Sequence, residues 1–167
     1  GKVADLPFSA PIQKGILLHR AVDSFTDQHD YVLTLKAELG SLRRYGGIIL
    51  DVLFDHKLAR DFTSYHTSPL RVFAQAAYAR LDTDRPDFPD RFIRVSKLMQ
   101  QGDWLSGYAE LDNIRRAFNG IGQRLTRPVD LTPAIDWYLS NEHLLAAEFP
   151  HFYRQLMAYS VKIAKRL

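Results

Sequence analysis

The chain has 167 residues, of which 46% are hydrophobic and 12% are aromatic. A chain of this length and composition can bury its own core, which excludes intrinsic disorder. It contains no cysteine, which excludes disulfides and thiolate metal sites. No apolar run approaches the length that crosses a bilayer, and the net charge of +3 is a mild bias towards acidic partners.

Apolar residues recur at helical spacing along nearly the whole chain, and Gly and Pro stand between these segments. The pattern predicts an all-α fold in which residues 1–167 form a single domain, a compact bundle of seven or eight helices. The predicted helical segments are 10–27, 31–40, 43–66, 68–84, 90–103, 107–125 and 131–167.

Local signals mark the ends and the faces of these helices. Gly40 is typical of a helix stop, Ser68 followed by Pro69 of a helix start, and Pro150 predicts a kink or split in the last segment. The centre of the third helix is apolar nearly all round, so we expect it to be buried. Inward-facing residues predicted for the fifth helix are Phe92, Val95, Leu98 and Met99.

Two segments carry acids and imidazoles at a fixed spacing among apolar residues. "LLHRAVDSFTDQHD" places His19, Asp23 and Asp27 every four residues, and "LDVLFDHKLARDF" contains Asp51, Asp55 and His56. On a helix, side chains four residues apart lie on one face about 6 Å apart. Each segment can therefore offer two donors to one ion or phosphate.

Two interpretations of these clusters remain open from the residues alone. Imidazole and carboxylate donors without thiolate suit Mn²⁺, Mg²⁺, Fe²⁺ or Zn²⁺, and such an ion activates water for attack on a phosphodiester. The alternative is an ordinary ion pair or an internal hydrogen-bond network. Two carboxylates on a buried helix favour a cation or a donor beside them, because an unpaired buried charge is costly.

The two motifs together resemble the acyl carrier protein phosphodiesterase family, also called acyl carrier protein hydrolase. "GILLHRAVDSFTD" is similar to the first family motif, and "RRYGGIILDVLFDHKLARDF" to the second, so the resemblance extends over residues 15–62. The family is regarded as a distant relative of the His-Asp metal-dependent phosphohydrolases. The resemblance implies that fold, and hydrolysis of the phosphodiester that joins phosphopantetheine to the carrier protein serine, in the cytoplasm and in the context of fatty acid biosynthesis.

Matched residue by residue, the resemblance implies a divalent metal centre, with Mn²⁺ expected first. Its predicted metal ligands are His19, Asp23, Asp51, Asp55 and His56, and the predicted catalytic residues are Asp51, Asp55 and Arg20. Family members usually begin with a His-containing stretch and a D-F-V-[KR]-G element, and this chain starts at the end of that element with Gly1 and Lys2. We therefore expect the chain as given to lack part of the centre and to be impaired.

The partner implied by the resemblance is acyl carrier protein, a small acidic protein, and neither nucleic acid nor a membrane span is expected. A hydrolase acting on an acidic protein needs a basic face beside its active site. The predicted partner-binding residues are Arg20, Arg43, Arg44, Arg91 and Arg94, with Lys97, Arg115 and Arg116 as further candidates. A solvated surface is the ordinary alternative for each of them.

Other functional readings are weaker. The aromatics Trp104, Trp137, Tyr138, Phe149, Phe152 and Tyr153 could line a groove for the pantetheine arm, but core packing is the preferred interpretation. The carboxylates Asp82, Asp84 and Asp87 are typical of a turn rather than a calcium loop. Two alternative functions remain: a nucleotide phosphohydrolase of the His-Asp class, and a non-catalytic helical module that binds an acidic protein.

Overall fold

The computed structural model describes residues 3, 7–81 and 88–167, and this part of the chain is helical without a strand. The turn predicted at Asp82, Asp84 and Asp87 lies outside the described residues. Eight α-helices occur in the described part, which confirms the all-α prediction: α1 (Ala10–Gln28), α2 (Asp30–Glu38), α3 (Gly46–Arg60), α4 (Leu70–Tyr78), α5 (Asp90–Gln101), α6 (Trp104–Gly107), α7 (Leu111–Arg124) and α8 (Pro133–Ala164). Short 3₁₀ helices span Gly40–Tyr45 and Phe62–Ser64. None of the described helices is long and apolar enough to cross a membrane.

The residues gather into two compact units, Gly1–Leu50 with Ala134–Leu167, and Asp51–Pro133. We call them the first and the second unit. The boundary falls within α3, so the first turn of that helix belongs to the first unit and the remainder to the second. The prediction that residues 1–167 form one domain stays a prediction.

Polar contacts between α2 and α8 hold the first unit together. The hydroxyl of Tyr31 donates to the Leu145 carbonyl (3.1 Å), and the indole N–H of Trp137 donates to the Glu38 carbonyl (2.9 Å). The rings of His29 and Phe152 meet edge to face, with centroids 4.9 Å apart. These contacts fix α2 along α8 at both of its ends.

Helix α3 is buried along its centre, as predicted. Its buried residues include Ile49, Leu50, Val52, Leu53 and Phe54. The first residue of the helix is Gly46, and glycine suits this position because a Cβ there would come 2.9 Å from the Cγ of Lys36. Asp51 and Asp55 nevertheless retain exposed surface, so the two carboxylates on this buried helix are accessible to solvent. Both lie on the side of the helix that the apolar residues leave open to solvent.

The structure differs from two predictions for the later helices: α8 is not split at Pro150, and the inward side of α5 is not the predicted one. The helical dihedral angles of α8 are interrupted at Asn141, whereas Pro150 lies inside the helix. The side-chain amide of Asn141 donates to the Trp137 carbonyl (2.8 Å), and this local bond competes with the backbone ladder. In helix α5, three of the four residues predicted to face inward, Phe92, Val95 and Leu98, are exposed. Met99 is half-buried, and Ser96 is buried instead.

The second unit is built around α7. Its Ile114 and Phe118 are fully buried, together with Leu131 from the segment that follows the helix. Tyr78 at the end of α4 donates its hydroxyl hydrogen to Asp103 (3.1 Å) and accepts the N–H of Leu105 (2.8 Å). This hydroxyl joins α4 to the start of α6, against which α5 also packs.

Candidate active site

The Asp51–Asp55 pair lies one helical turn apart on α3, within the second unit. Loss of hydration in the protein that surrounds it raises the pKa of Asp55 to about 6, and the negative charge of Asp51 adds to the rise. Asp55 still has exposed surface, so its carboxyl meets water on one side and protein on the other. Two like charges in this position favour a proton or a cation between them.

His56, next along the helix, points inward and is only 2% exposed. Its Nδ1 lies 2.7 Å from the Tyr108 carbonyl oxygen, which can only accept, so Nδ1 carries the hydrogen. This bond fixes the ring and leaves Nε2 of the neutral ring as the nitrogen with a lone pair. Metal-binding histidines often use the same arrangement, in which a backbone carbonyl sets the tautomer.

Tyr108 contributes to this site twice and was missed by the sequence. Besides its carbonyl, it brings a hydroxyl whose pKa is raised by burial and, to a smaller degree, by the charge of Asp55. It lies 52 residues from His56 along the chain. No local pattern signals such a contact, because only the packing of the second unit brings the two residues together.

The His19–Asp23 pair lies on α1, within the first unit. His19 Nδ1 and Asp23 Oδ1 are 3.4 Å apart, and the two side chains are 75% and 55% exposed. The spacing argument is therefore confirmed: one imidazole and one carboxylate stand side by side. Asp27, the next acid along the helix, forms an ion pair with Lys36 (2.8 Å) and is not part of the pair.

The donors fit a divalent ion in part. Among residues 3, 7–81 and 88–167, no three His, Asp or Glu side chains are gathered closely enough to hold a metal ion. Each pair by itself presents two donors, and Mg²⁺ or Mn²⁺ is commonly held by one or two carboxylates, with water and substrate phosphate completing the shell. The Asp51–Asp55 carboxylates have this chemistry. That the two clusters form one centre stays a prediction.

The cations predicted to bind the partner are all on the surface. Arg20, Arg43 and Arg44 belong to the first unit, and Arg91 and Arg94 to the second; each is exposed. Lys57, a possible donor to the reacting phosphate, instead pairs with Asp61 (2.5 Å). Arg20 is an exposed cation on α1, directly after His19.

The aromatic residues behave mainly as the core-packing interpretation expects. Tyr138, Phe149 and Phe152 are buried, whereas Trp104 is exposed. An open cleft of about 350 Å³ lies elsewhere in the second unit and is lined by Arg115, Asn119, Gln123, Pro128, Val129, Asp130 and Thr132. Three of these residues, Arg115, Asn119 and Gln123, are on α7 at every fourth position. This spacing in the sequence indicates a polar face of the helix.

Comparison with known proteins identifies the family of the chain. The family model described as "Acyl carrier protein phosphodiesterase" matches residues 1–156. The chain belongs to the acyl carrier protein phosphodiesterase family. Proteins of that name from Salmonella paratyphi A, Salmonella agona and Salmonella newport are each 33% identical over 157 residues, which covers 92% of this chain and 80% of the relative.

Membership of the acyl carrier protein phosphodiesterase family confirms the predicted enzyme class, a phosphoric diester hydrolase. No solved structure is significantly similar to the chain. The implied likeness to the His-Asp phosphohydrolase fold therefore stays a prediction, as do the metal ligands and the metal itself.

Proposed function

We propose that this chain hydrolyses the phosphodiester between phosphopantetheine and the serine of holo acyl carrier protein. Water adds to phosphorus, the bond from phosphorus to the serine oxygen breaks, and that oxygen takes up a proton. The products are free phosphopantetheine and apo carrier protein. The observation that carries the proposal is the Asp51–Asp55 pair. These are two carboxylates of a family motif, one helical turn apart on the solvent-exposed side of a buried helix.

We also propose a divalent cofactor, with Mn²⁺ first and Mg²⁺, Fe²⁺ or Zn²⁺ as alternatives. Asp51 and Asp55 would hold it, with His19, Asp23 and the Nε2 of His56 as the further ligands to be tested. When bound, such an ion polarises the phosphoryl group and lowers the pKa of water. The raised pKa of Asp55 supports the proposal, because a cation beside the pair would relieve the repulsion from Asp51.

The protein's own groups have separate tasks in this proposal. In the ion-free protein, Asp55 is the carboxyl that holds a proton below about pH 6, and a bound cation would keep it ionised. The carbonyl of Tyr108 keeps the ring of His56 in one orientation. Arg20 is proposed to bind the charge of the diester, since an exposed guanidinium forms paired hydrogen bonds with phosphate oxygens.

The test is a mass measurement on the carrier. Purified protein is incubated with holo carrier and each of the four ions in turn, and then with EDTA. We expect the carrier to lose the mass of phosphopantetheine with at least one ion and to keep it in EDTA. Asp51→Asn should abolish the change, while Asp112→Asn, an exposed acid on α7, is the matched control that should not. An unchanged mass with every ion contradicts the proposal.

The proposal also places the enzyme in the cytoplasm, with its carrier. The nucleotide phosphohydrolase and the non-catalytic module have no comparable support, since the relatives are named phosphodiesterases of a carrier protein. Offering nucleotides in the same assay separates the first alternative. Hydrolysis of a nucleotide together with an unchanged carrier would favour the nucleotide phosphohydrolase over the carrier protein phosphodiesterase.

A further inference from the structure

Helix α5 presents its apolar side to solvent. Phe92, Val95 and Leu98 are 41%, 39% and 49% exposed. They are three residues apart and so form one stripe along the helix. Isolated exposed apolar residues are ordinary, but a continuous stripe on a protein surface marks an interaction site.

The inward side of α5 includes polar groups beside the half-buried Ile93 and Met99. Ser96 is 4% exposed, and the side-chain nitrogen of Gln100 is buried without a hydrogen-bond partner in the part of the chain that the structure describes. Burying polar groups while exposing a Leu, a Val and a Phe costs stability on both sides of the helix. An orientation with these costs is explained if the outer side has a use.

A second stripe runs beside the apolar one. Arg91, Arg94 and Lys97 are also exposed and three residues apart. They form a row parallel to the apolar stripe, about 100° away from it around the helix axis. Asp90 is the only acid of this helix. The outer surface of α5 therefore combines apolar contact area with a row of positive charge, and we call these six residues the α5 face.

We propose that the α5 face is the docking surface for an acidic, amphipathic helix of the carrier protein. The apolar stripe would receive the apolar residues of that helix, and the row of cations would receive its carboxylates. Complementary charge along an interface guides encounter and fixes register. This inference rests on the proposed function, because it takes the carrier as the partner.

A second copy of this chain fits the face less well. A symmetric pair of α5 helices would bring two identical rows of cations together, and like charges at an interface oppose association. An anionic membrane would satisfy a basic and apolar helix, so the experiment includes a membrane arm.

Docking is measured as the dissociation constant for apo carrier, the proposed product, by fluorescence anisotropy, which requires no catalysis. We expect Arg91→Glu with Arg94→Glu to weaken binding roughly tenfold or more and to reduce its dependence on salt. Val95→Gln with Leu98→Gln should weaken binding roughly tenfold with the salt dependence unchanged. All four residues are exposed, and circular dichroism checks that the variants fold.

Matched controls lie on α8 and directly after it. Lys162→Glu with Lys165→Glu changes the net charge equally, and Leu139→Gln with Val161→Gln removes apolar side chains that are each 55% exposed. Each control pair should change the constant by less than about twofold, as expected for exposed sites outside an interface. Equal losses in the α5 and control variants would overturn the proposal.

Three further results would also overturn it. One is wild-type binding of the carrier that no α5 variant weakens. Another is sedimentation with phosphatidylserine vesicles that the α5 variants lose while keeping carrier binding. The third is a dimer in solution that these variants dissociate while keeping carrier binding. Failure of the proposed function looks different: the carrier binds through the α5 face but its mass never changes.

Discussion

At the scale of single residues, the two acidic motifs have different physical character. His19 and Asp23 are largely exposed and 3.4 Å apart, a geometry in which an ion pair adds little to stability. Asp55 is partly desolvated and lies near a second carboxylate. The first pair therefore changes the stability of the protein very little, whereas repulsion and loss of hydration make the second pair destabilising when both carboxylates are charged. Substitutions at the two pairs should therefore have different effects on stability.

Asp55→Asn should make the ion-free protein more stable at pH 8. The folded pKa of about 6 lies above the ordinary 3.8, so the protonated carboxyl contributes stability that is complete below 3.8 and lost as the pH rises through 6. Asparagine keeps the neutral form at every pH. Because Asp55 is partly exposed, we expect a gain of about 1 kcal/mol at pH 8, falling towards zero near pH 4.

Urea unfolding in EDTA at pH 4, 6 and 8 measures this difference. Asp112→Asn removes an exposed acid from α7 and serves as the control, with an expected change below about 0.5 kcal/mol at each pH. A variant that is less stable than wild type at pH 8 would show that the charged form of Asp55 is stabilised by its surroundings.

His19→Ala should lower activity without lowering stability. The exposed His19–Asp23 pair is worth less than about 1 kcal/mol, so unfolding in urea should hardly change. Loss of an imidazole donor from a functional site should reduce kcat/KM at least roughly tenfold. His143→Ala, an exposed histidine on α8, is the matched control. Full activity in His19→Ala would remove this residue from the proposed centre.

At the scale of helices, local signals predicted ends better than orientations. The first helix was predicted over residues 10–27 and observed at Ala10–Gln28, and Gly40 adopts the positive φ of 56° that suits a stop. These features depend on neighbouring residues. The orientation of α5 depends on what surrounds the helix, so periodicity identified its apolar side but assigned that side to the core.

The break in α8 and the role of Tyr108 escaped prediction for related reasons. A proline in a helix is a general signal of a helix break. The hydrogen bond from the Asn141 side chain to the Trp137 carbonyl depends on a side-chain rotamer, which the sequence does not reveal. In the candidate site, the i, i+4 pairs were predictable from spacing. The contact of His56 with the Tyr108 carbonyl was not, because it joins residues that only tertiary packing brings together.

Gly122→Ala should destabilise α7 and the segment after it. A Cβ on this buried glycine would overlap the Val129 carbonyl oxygen, which belongs to the backbone and cannot rotate away as a side chain can. Overpacking of this kind costs roughly 1–3 kcal/mol. Gly15→Ala on α1 is the control, since a Cβ there meets nothing within 4 Å. It should gain about 0.5–1 kcal/mol from helix propensity.

Thermal unfolding followed by circular dichroism compares the two alanine variants. The predicted signs are opposite, with a lower Tm for Gly122→Ala and a higher one for Gly15→Ala. Equal Tm values for wild type and Gly122→Ala would mean that the segment from residue 125 to 132 shifts without cost. The close approach of Val129 would then contribute nothing to the fold.

At the scale of the whole molecule, the family assignment covers far more of the chain than the candidate site does. The family model matches residues 1–156, while the two donor pairs lie within α1 and α3. Net charge of +3 on a chain with 22 Lys and Arg against 19 Asp and Glu is small. Attraction to an acidic protein must then come from local groups such as the cations of α5, rather than from the overall charge.

Binding of a divalent ion should appear as added stability of the entire protein. An ion that binds the folded chain alone stabilises it by about 2.7 kcal/mol at one hundred times its dissociation constant, which raises Tm by roughly 5–10 °C for a protein of this size. Differential scanning calorimetry with Mn²⁺, Mg²⁺, Fe²⁺ and Zn²⁺ measures the rise. Asp51→Asn should abolish it and Asp112→Asn should keep it.

Because Asp51→Asn also removes the repulsion on Asp55, its ion-free Tm should equal or exceed that of wild type at pH 8. A lower ion-free Tm, with no rise for any ion in wild type, would instead identify the pair as part of a structural network.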